Sequence, residues 1–174
     1  MADGAVDDIA LSGVQGFLSA FAALSSVNNL VGLHWVARIG AGPDVELRLH
    51  ECFARIGRAV DGGWRFRLIP VDDWRTAIVA AARRNLFLFT SGREGLFWPD
   101  DRWEVQLRAL GDRLGVDQVL DVFVELLAAV LGDGPTPAWQ VRLDAGTAPF
   151  ADLWEAYVFQ VGNELILLWF GSSD

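Results

Sequence analysis

The sequence predicts a single α+β domain over residues 1–174, a mainly antiparallel sheet with helices packed on one face. Three observations carry that expectation. Residues 115–132, GVDQVLDVFVELLAAVLG, place apolar side chains around most of a helical circumference. That arc is far wider than the ~100° stripe of a surface helix, so Val119, Leu120, Val122, Phe123, Val124, Leu126, Leu127, Val130 and Leu131 are expected to be mostly buried. Residues 154–161 and 164–171, WEAYVFQV and ELILLWFG, are two aromatic-rich apolar runs flanking the two-residue turn Gly162-Asn163, the pattern of a β-hairpin. Finally, the chain is 52% hydrophobic with eight Trp and eleven Phe, which argues against disorder and for one large aromatic core.

The remaining elements follow in order. Val6 to Ser26 reads as a helix that Asp7 or Asp8 can cap, with Ile9, Phe17, Leu18, Phe21 and Leu24 as its main apolar residues. Asn28-Asn29 ends it. Leu30 to Ile39 reads as a strand closed by the turn Gly40-Ala41-Gly42-Pro43. Val45 to Val60 fits both periods. Val45, Leu47 and Leu49 alternate, whereas Leu49, Cys52, Phe53, Ile56 and Val60 recur as on a helix, the preferred reading despite Gly57. Trp64, Phe66 and Leu68 alternate with Arg65 and Arg67 as a half-buried strand. Pro70-Val71-Asp72-Asp73-Trp74 opens a helix to Arg84, and Pro99-Asp100-Asp101-Arg102-Trp103 opens another to Leu114. In each an Asp can accept the free N–H groups of the first turn, where the helix dipole also favours negative charge. Leu86 to Gly92 between them reads as a buried strand. Trp139, Val141 and Leu143 alternate in a last strand before the hairpin.

Charge is distributed unevenly. The first 113 residues carry 13 Arg against 14 acids, a net −1, while residues 114–174 carry Arg142 alone against nine acids, a net −8. Nucleic acid is not expected as a partner, because its binding sites need a basic stripe. A basic protein partner suits this balance better, since opposed potentials speed encounter. Ile9 to Ala37 has no formal charge. It is broken by Gly, Ser, Gln and Asn28-Asn29 and has an acidic flank, so a buried helix is expected and not a membrane span or signal peptide. The single cysteine, Cys52, rules out an intramolecular disulfide and fits a reducing, cytoplasmic setting.

The search for chemistry is negative. There are two histidines, His34 and His50, and no CxxC, HExxH, GxGxxG or GxSxG. His50-Glu51-Cys52 would place the imidazole and thiol together on a strand but apart on a helix. Neither a catalytic set, a metal site nor a cofactor is expected. Arg65 and Arg67 share one strand face and would suit an anion or simply discourage edge pairing. Asp117, Asp121 and Glu125, spaced i, i+4, i+8, form one acidic column on the helix of residues 115–132. Three carboxylates on one helix face cannot alone complete a hard cation's shell of roughly 6–8 oxygens. They are the candidate partner-binding residues.

The closing run YVFQVGNELILLWFGSSD, from Tyr157 to Asp174, resembles the ends of small immunity proteins of bacterial polymorphic toxin systems, which close on an apolar strand and a short Gly/Ser/Asp tail. The resemblance implies a cytoplasmic, non-enzymatic protein that binds and blocks a toxin domain, commonly through acids placed against a basic cleft. The alternative is a small-molecule-binding or enzymatic domain with an aromatic pocket lined by Trp64, Trp98 or Trp139. A third is an oligomerisation module that pairs through its hairpin, so both a monomer and a homodimer remain open.

Overall fold

The computed structural model describes residues 6–25, 31–55, 65–86, 115–132, 134–145 and 153–173. The described helices are α1 (Asp8–Ser25), α2 (Val45–Arg55), α3 (Trp74–Leu86) and α4 (Val116–Leu131). The strands are β1 (Val31–Gly32), β2 (Trp35–Ala41), β3 (Arg65–Pro70), β4 (Ala138–Ala145), β5 (Leu153–Val161) and β6 (Glu164–Ser173). Of the strand expected from Leu86 to Gly92, Leu86 is instead the last residue of α3, and residues 87–92 lie outside the described residues. So do the helix expected at residues 99–114, and Trp64 and Trp98.

All strands pair antiparallel in one sheet of order β1–β6–β5–β4–β3, with β2 continuing β1 along the same edge of β6. The α+β class is therefore as the sequence indicated. The hairpin of β5 and β6 lies at the centre, because each strand has a further neighbour. It turns on Gly162-Asn163, where Gly162 takes φ 59, a left-handed conformation that glycine adopts without steric cost. Both of its faces are buried, so Leu165 to Phe170 are apolar without interruption.

Each sheet face has its own core. Ile166, Leu168 and Phe170 of β6 and Tyr157 and Phe159 of β5 meet α1, α3 and α4. Phe17 of α1 stacks on Phe123 of α4 with centroids 5.0 Å apart, and Phe123 meets Phe170 edge-on at 6.2 Å. The opposite residues, Leu165, Leu167 and Trp169, with Val158 and Ala156, meet Val45, Leu49, Cys52 and Phe53 of α2. The expected layer on one face is thus three helices, and the other face is covered by α2 together with a row of indoles. Trp35, Trp169 and Trp154 stack across β2, β6 and β5 at 6.0 and 4.8 Å. Trp139 sits partly buried at the margin of this second core.

Local chemistry sets the helix starts. The Asp7 carboxylate accepts from Ile9 N–H at 2.8 Å, the Asp44 carboxylate from Leu47 N–H at 2.9 Å, and the Asp73 carboxylate from Thr76 N–H at 3.2 Å. The Thr76 hydroxyl donates a second bond to Asp73 at 2.5 Å. The hydroxyl's bond, and then the amide's, hold the Asp73 carboxyl below the usual carboxylate range. α4 is buried along most of its circumference, each large apolar side chain contributing about 1.5–3 kcal/mol. Val122 departs from expectation: it is 54% exposed, in the strip where Asp117, Gln118, Asp121 and Glu125 face solvent. Among the described residues no helix is long and apolar enough to cross a membrane.

Candidate functional site

The acidic column of α4 is solvent-facing, but it is not left unneutralised. α3 runs beside α4 and supplies cations at a matching interval. Arg83 pairs with Asp117, and Arg75 Nη1 reaches Glu125 Oε1 at 3.3 Å. The side chains of Asp117 and Glu125 remain 79% and 76% exposed. Arg75 also lies over the Trp74 ring at 4.8 Å, a cation–π contact that fixes its direction. Asp121, midway along the column, has no cation partner among the described residues.

The same pattern holds across the molecule. Besides Asp117 and Glu125, the acids Asp144, Glu155 and Glu164 pair with Arg67, Arg84 and Arg38. Each of these five partners comes from the first 113 residues. Among the described residues, every acid of the last third except Asp121 is therefore paired across the fold.

A second polar centre, not anticipated from the sequence, lies where α3 ends over β4 and β5. Glu155 side-chain exposure is only 14%, and the carboxylate gathers four donors. Oε1 accepts from Arg84 Nη2 at 2.7 Å, Tyr157 Oη at 2.6 Å and Gln140 Nε2 at 3.0 Å, and Oε2 accepts from Asn85 Nδ2 at 3.1 Å. Burial and the neighbouring Glu155 carboxylate push the Tyr157 hydroxyl pKa well above its ordinary value, so it stays a proton donor to that carboxylate.

Beside this network the sheet splits. β4 pairs with β5 only from Ala138 to Val141, yet β4 continues along β3 to Ala145, and β5 continues along β6 to Leu153. The two strands fork and leave a cleft of about 330 Å³ lined by Gln140, Arg142, Trp154 and Glu155 with Val141 and Leu143. Arg142 lies directly opposite Arg67 on β3. A bulge at Asp144 lets its carboxylate take Arg67 with both oxygens, at 2.6 and 3.0 Å, and Arg142 is left without an acid partner among the described residues.

The sequence did hold a signal for this centre. Glu155 and Tyr157 on β5, and Gln140 and Arg142 on β4, are polar-tipped positions at i, i+2 of mainly apolar strands, so each pair shares a face. The register that brings the two pairs together was not readable.

Other candidates resolve into structural roles. α2 is helical, so His50 and Cys52 diverge: Cys52 is buried with its thiol pKa pushed up by burial, while His50 is partly exposed against Phe66, with ring centroids 5.0 Å apart. A reactive thiol needs the opposite shift. His34, between β1 and β2, is 5% exposed with neither ring nitrogen hydrogen-bonded among the described residues, and burial lowers its pKa from 6.5 to about 4. Asp73 acts as a cap for α3, and Asp100-Asp101 lie outside the described residues. Among the described residues no three metal-ligating side chains stand together. The chain matches no family model, no curated protein and no solved structure.

Proposed function

We propose that the chain is a non-catalytic, cytoplasmic protein-binding domain of the immunity or inhibitor type, which presents the exposed strip of α4 to a basic partner. The observation that carries this reading is Asp121. It stands in a row of three carboxylates whose two outer members are held by Arg75 and Arg83, and among the described residues it alone of the three is free to take a partner's cation. Val122 beside it is 54% exposed on a helix that otherwise buries its large apolar residues, which supplies the apolar contact a protein interface needs. Charge at the rim sets approach and salt dependence, and the adjoining apolar contact slows release. Arg75 and Arg83 orient the outer carboxylates before binding, which lowers the ordering cost. A toxin domain with a basic cleft fits this chemistry, in keeping with the resemblance of the closing hairpin.

The test is coexpression with the protein encoded by the adjacent gene, followed by titration calorimetry at low and high salt. A complex that weakens with salt and is abolished by Asp121→Arg with Val122→Glu is the expected result. A complex indifferent to both substitutions would remove α4 as the interface, and no complex at all would remove the inhibitor reading for that gene pair.

A further inference from the structure

We propose that the cleft between the forked strands β4 and β5 binds a small oxyanion, a carboxylate or phosphate group, on the guanidinium of Arg142. This site is separate from the α4 strip and shares no residue with it. Its construction begins with an unfavourable pairing. Arg67 and Arg142 stand directly opposite on adjacent strands, an arrangement in which like charges destabilise a sheet. Asp144 relieves only one of them, because both of its oxygens are engaged by Arg67. Glu155 makes no bond to the other among the described residues, and its carboxylate is instead turned to Arg84, Tyr157, Gln140 and Asn85. Arg142 thus lines the cleft as an uncompensated cation whose fork of N–H donors is unused among the described residues.

The charge count agrees. Among the described residues of the fork, Arg67 and Asp144 cancel, as do Arg84 and Glu155, so Arg142 is left as a cation in a chain whose net charge is −9. The cleft volume of about 330 Å³ suits a small ligand. The planar guanidinium matches the two-oxygen edge of a carboxylate or phosphate.

The experiment uses the full chain labelled with 15N, observing the arginine Nε–H and glutamine amide signals during separate titrations with inorganic phosphate, succinate and, at matched ionic strength, chloride. Saturable shifts of the Arg142 signal with phosphate or succinate, absent with chloride, are expected, and whichever anion binds more tightly identifies the group. Arg142→Gln should weaken that binding at least about tenfold, while Arg55→Gln, on the far face of the sheet, should leave it unchanged. Arg142→Lys keeps the charge but loses the fork. It should weaken binding by a smaller factor, and it provides the readout if the glutamine variant fails to fold. Shifts that never saturate, that chloride reproduces, or that persist undiminished in the Arg142 variants would overturn the site.

Discussion

The α3–α4 seam and the β4–β5 fork are built from the same residue types with opposite remainders. At the seam Arg75 and Arg83 hold Glu125 and Asp117, and among the described residues one acid, Asp121, is left over. At the fork Asp144 and Glu155 are held by Arg67 and Arg84, and among the described residues one cation, Arg142, is left over. The two also differ in depth. The seam's paired side chains are 46–79% exposed, and the fork's Arg67 and Asp144 are 66% and 39% exposed, but Glu155 at the fork's centre is 14% exposed and carries four hydrogen bonds. Net charge therefore says little about what a region of this protein can attract. What matters is which charge remains after pairing, and how far water screens it.

The sharpest way to break this contrast is to remove the acid at the centre of the fork. Glu155→Ala leaves the buried Tyr157 hydroxyl, the Gln140 and Asn85 amides and the Arg84 guanidinium without their acceptor. Removing one partner of a buried, hydrogen-bonded ion pair costs about 3–5 kcal/mol. Urea denaturation should report a loss at the lower end of that range, because Arg84 keeps access to water. Glu155→Gln, which preserves shape and one acceptor oxygen, should cost less than half as much. A loss below about 1 kcal/mol for the alanine variant would place the fork in the same class as the seam.

This difference in depth also explains what was legible in the sequence. The hairpin and α4 were readable because their signals are local: two apolar runs about the turn Gly162-Asn163 and an apolar arc over 16 residues. The acidic column was readable for the same reason, and so was the possibility that Asp73 caps α3. The arginine partners were not. Arg83 reaches Asp117 across 34 positions, Arg75 reaches Glu125 across 50, and Arg67 reaches Asp144 across 77. No period or spacing encodes such pairs, so the −1/−8 division could not show that five acids of the last third pair with arginines from the rest of the chain. Val122 was misplaced because hydropathy alone widens a helix's apolar arc, whereas burial depends on which elements lie over each position. α2's place on the second face needed the strand register, which sets Leu165, Leu167 and Trp169 toward it.

A buried imidazole separates both regions from the protein's response to acid. The unfolded chain protonates His34 below pH 6.5, while the folded chain keeps it neutral until about pH 4. Between those values the unfolded state holds the extra proton, so stability rises with pH across the window. His34's contribution is complete above pH 6.5 and is lost as pH falls toward 4, about 3 kcal/mol in all. His34→Leu should flatten thermal stability over this range by scanning calorimetry. A slope that survives the substitution would show that His34 does not carry the acid sensitivity.

The smallest effects belong at the seam, and there the sign matters more than the size. Arg83→Ala and Arg75→Ala should each change stability by about 0–1 kcal/mol, as solvent-exposed pairs do. Asp121→Arg should go the other way. Asp121 lies four residues after Asp117 and four before Glu125, so it takes part in two like-charge contacts on one helix face. Reversing its charge turns both into attractions, each worth about 0.2–0.5 kcal/mol. Chemical denaturation should therefore show a variant at least as stable as the parent. A stabilised variant would agree with the proposal that Asp121 serves contact with something outside the chain and not the helix itself. If Asp121→Arg instead destabilises the fold, Asp121 serves the domain's own structure and the partner reading of α4 loses its main support.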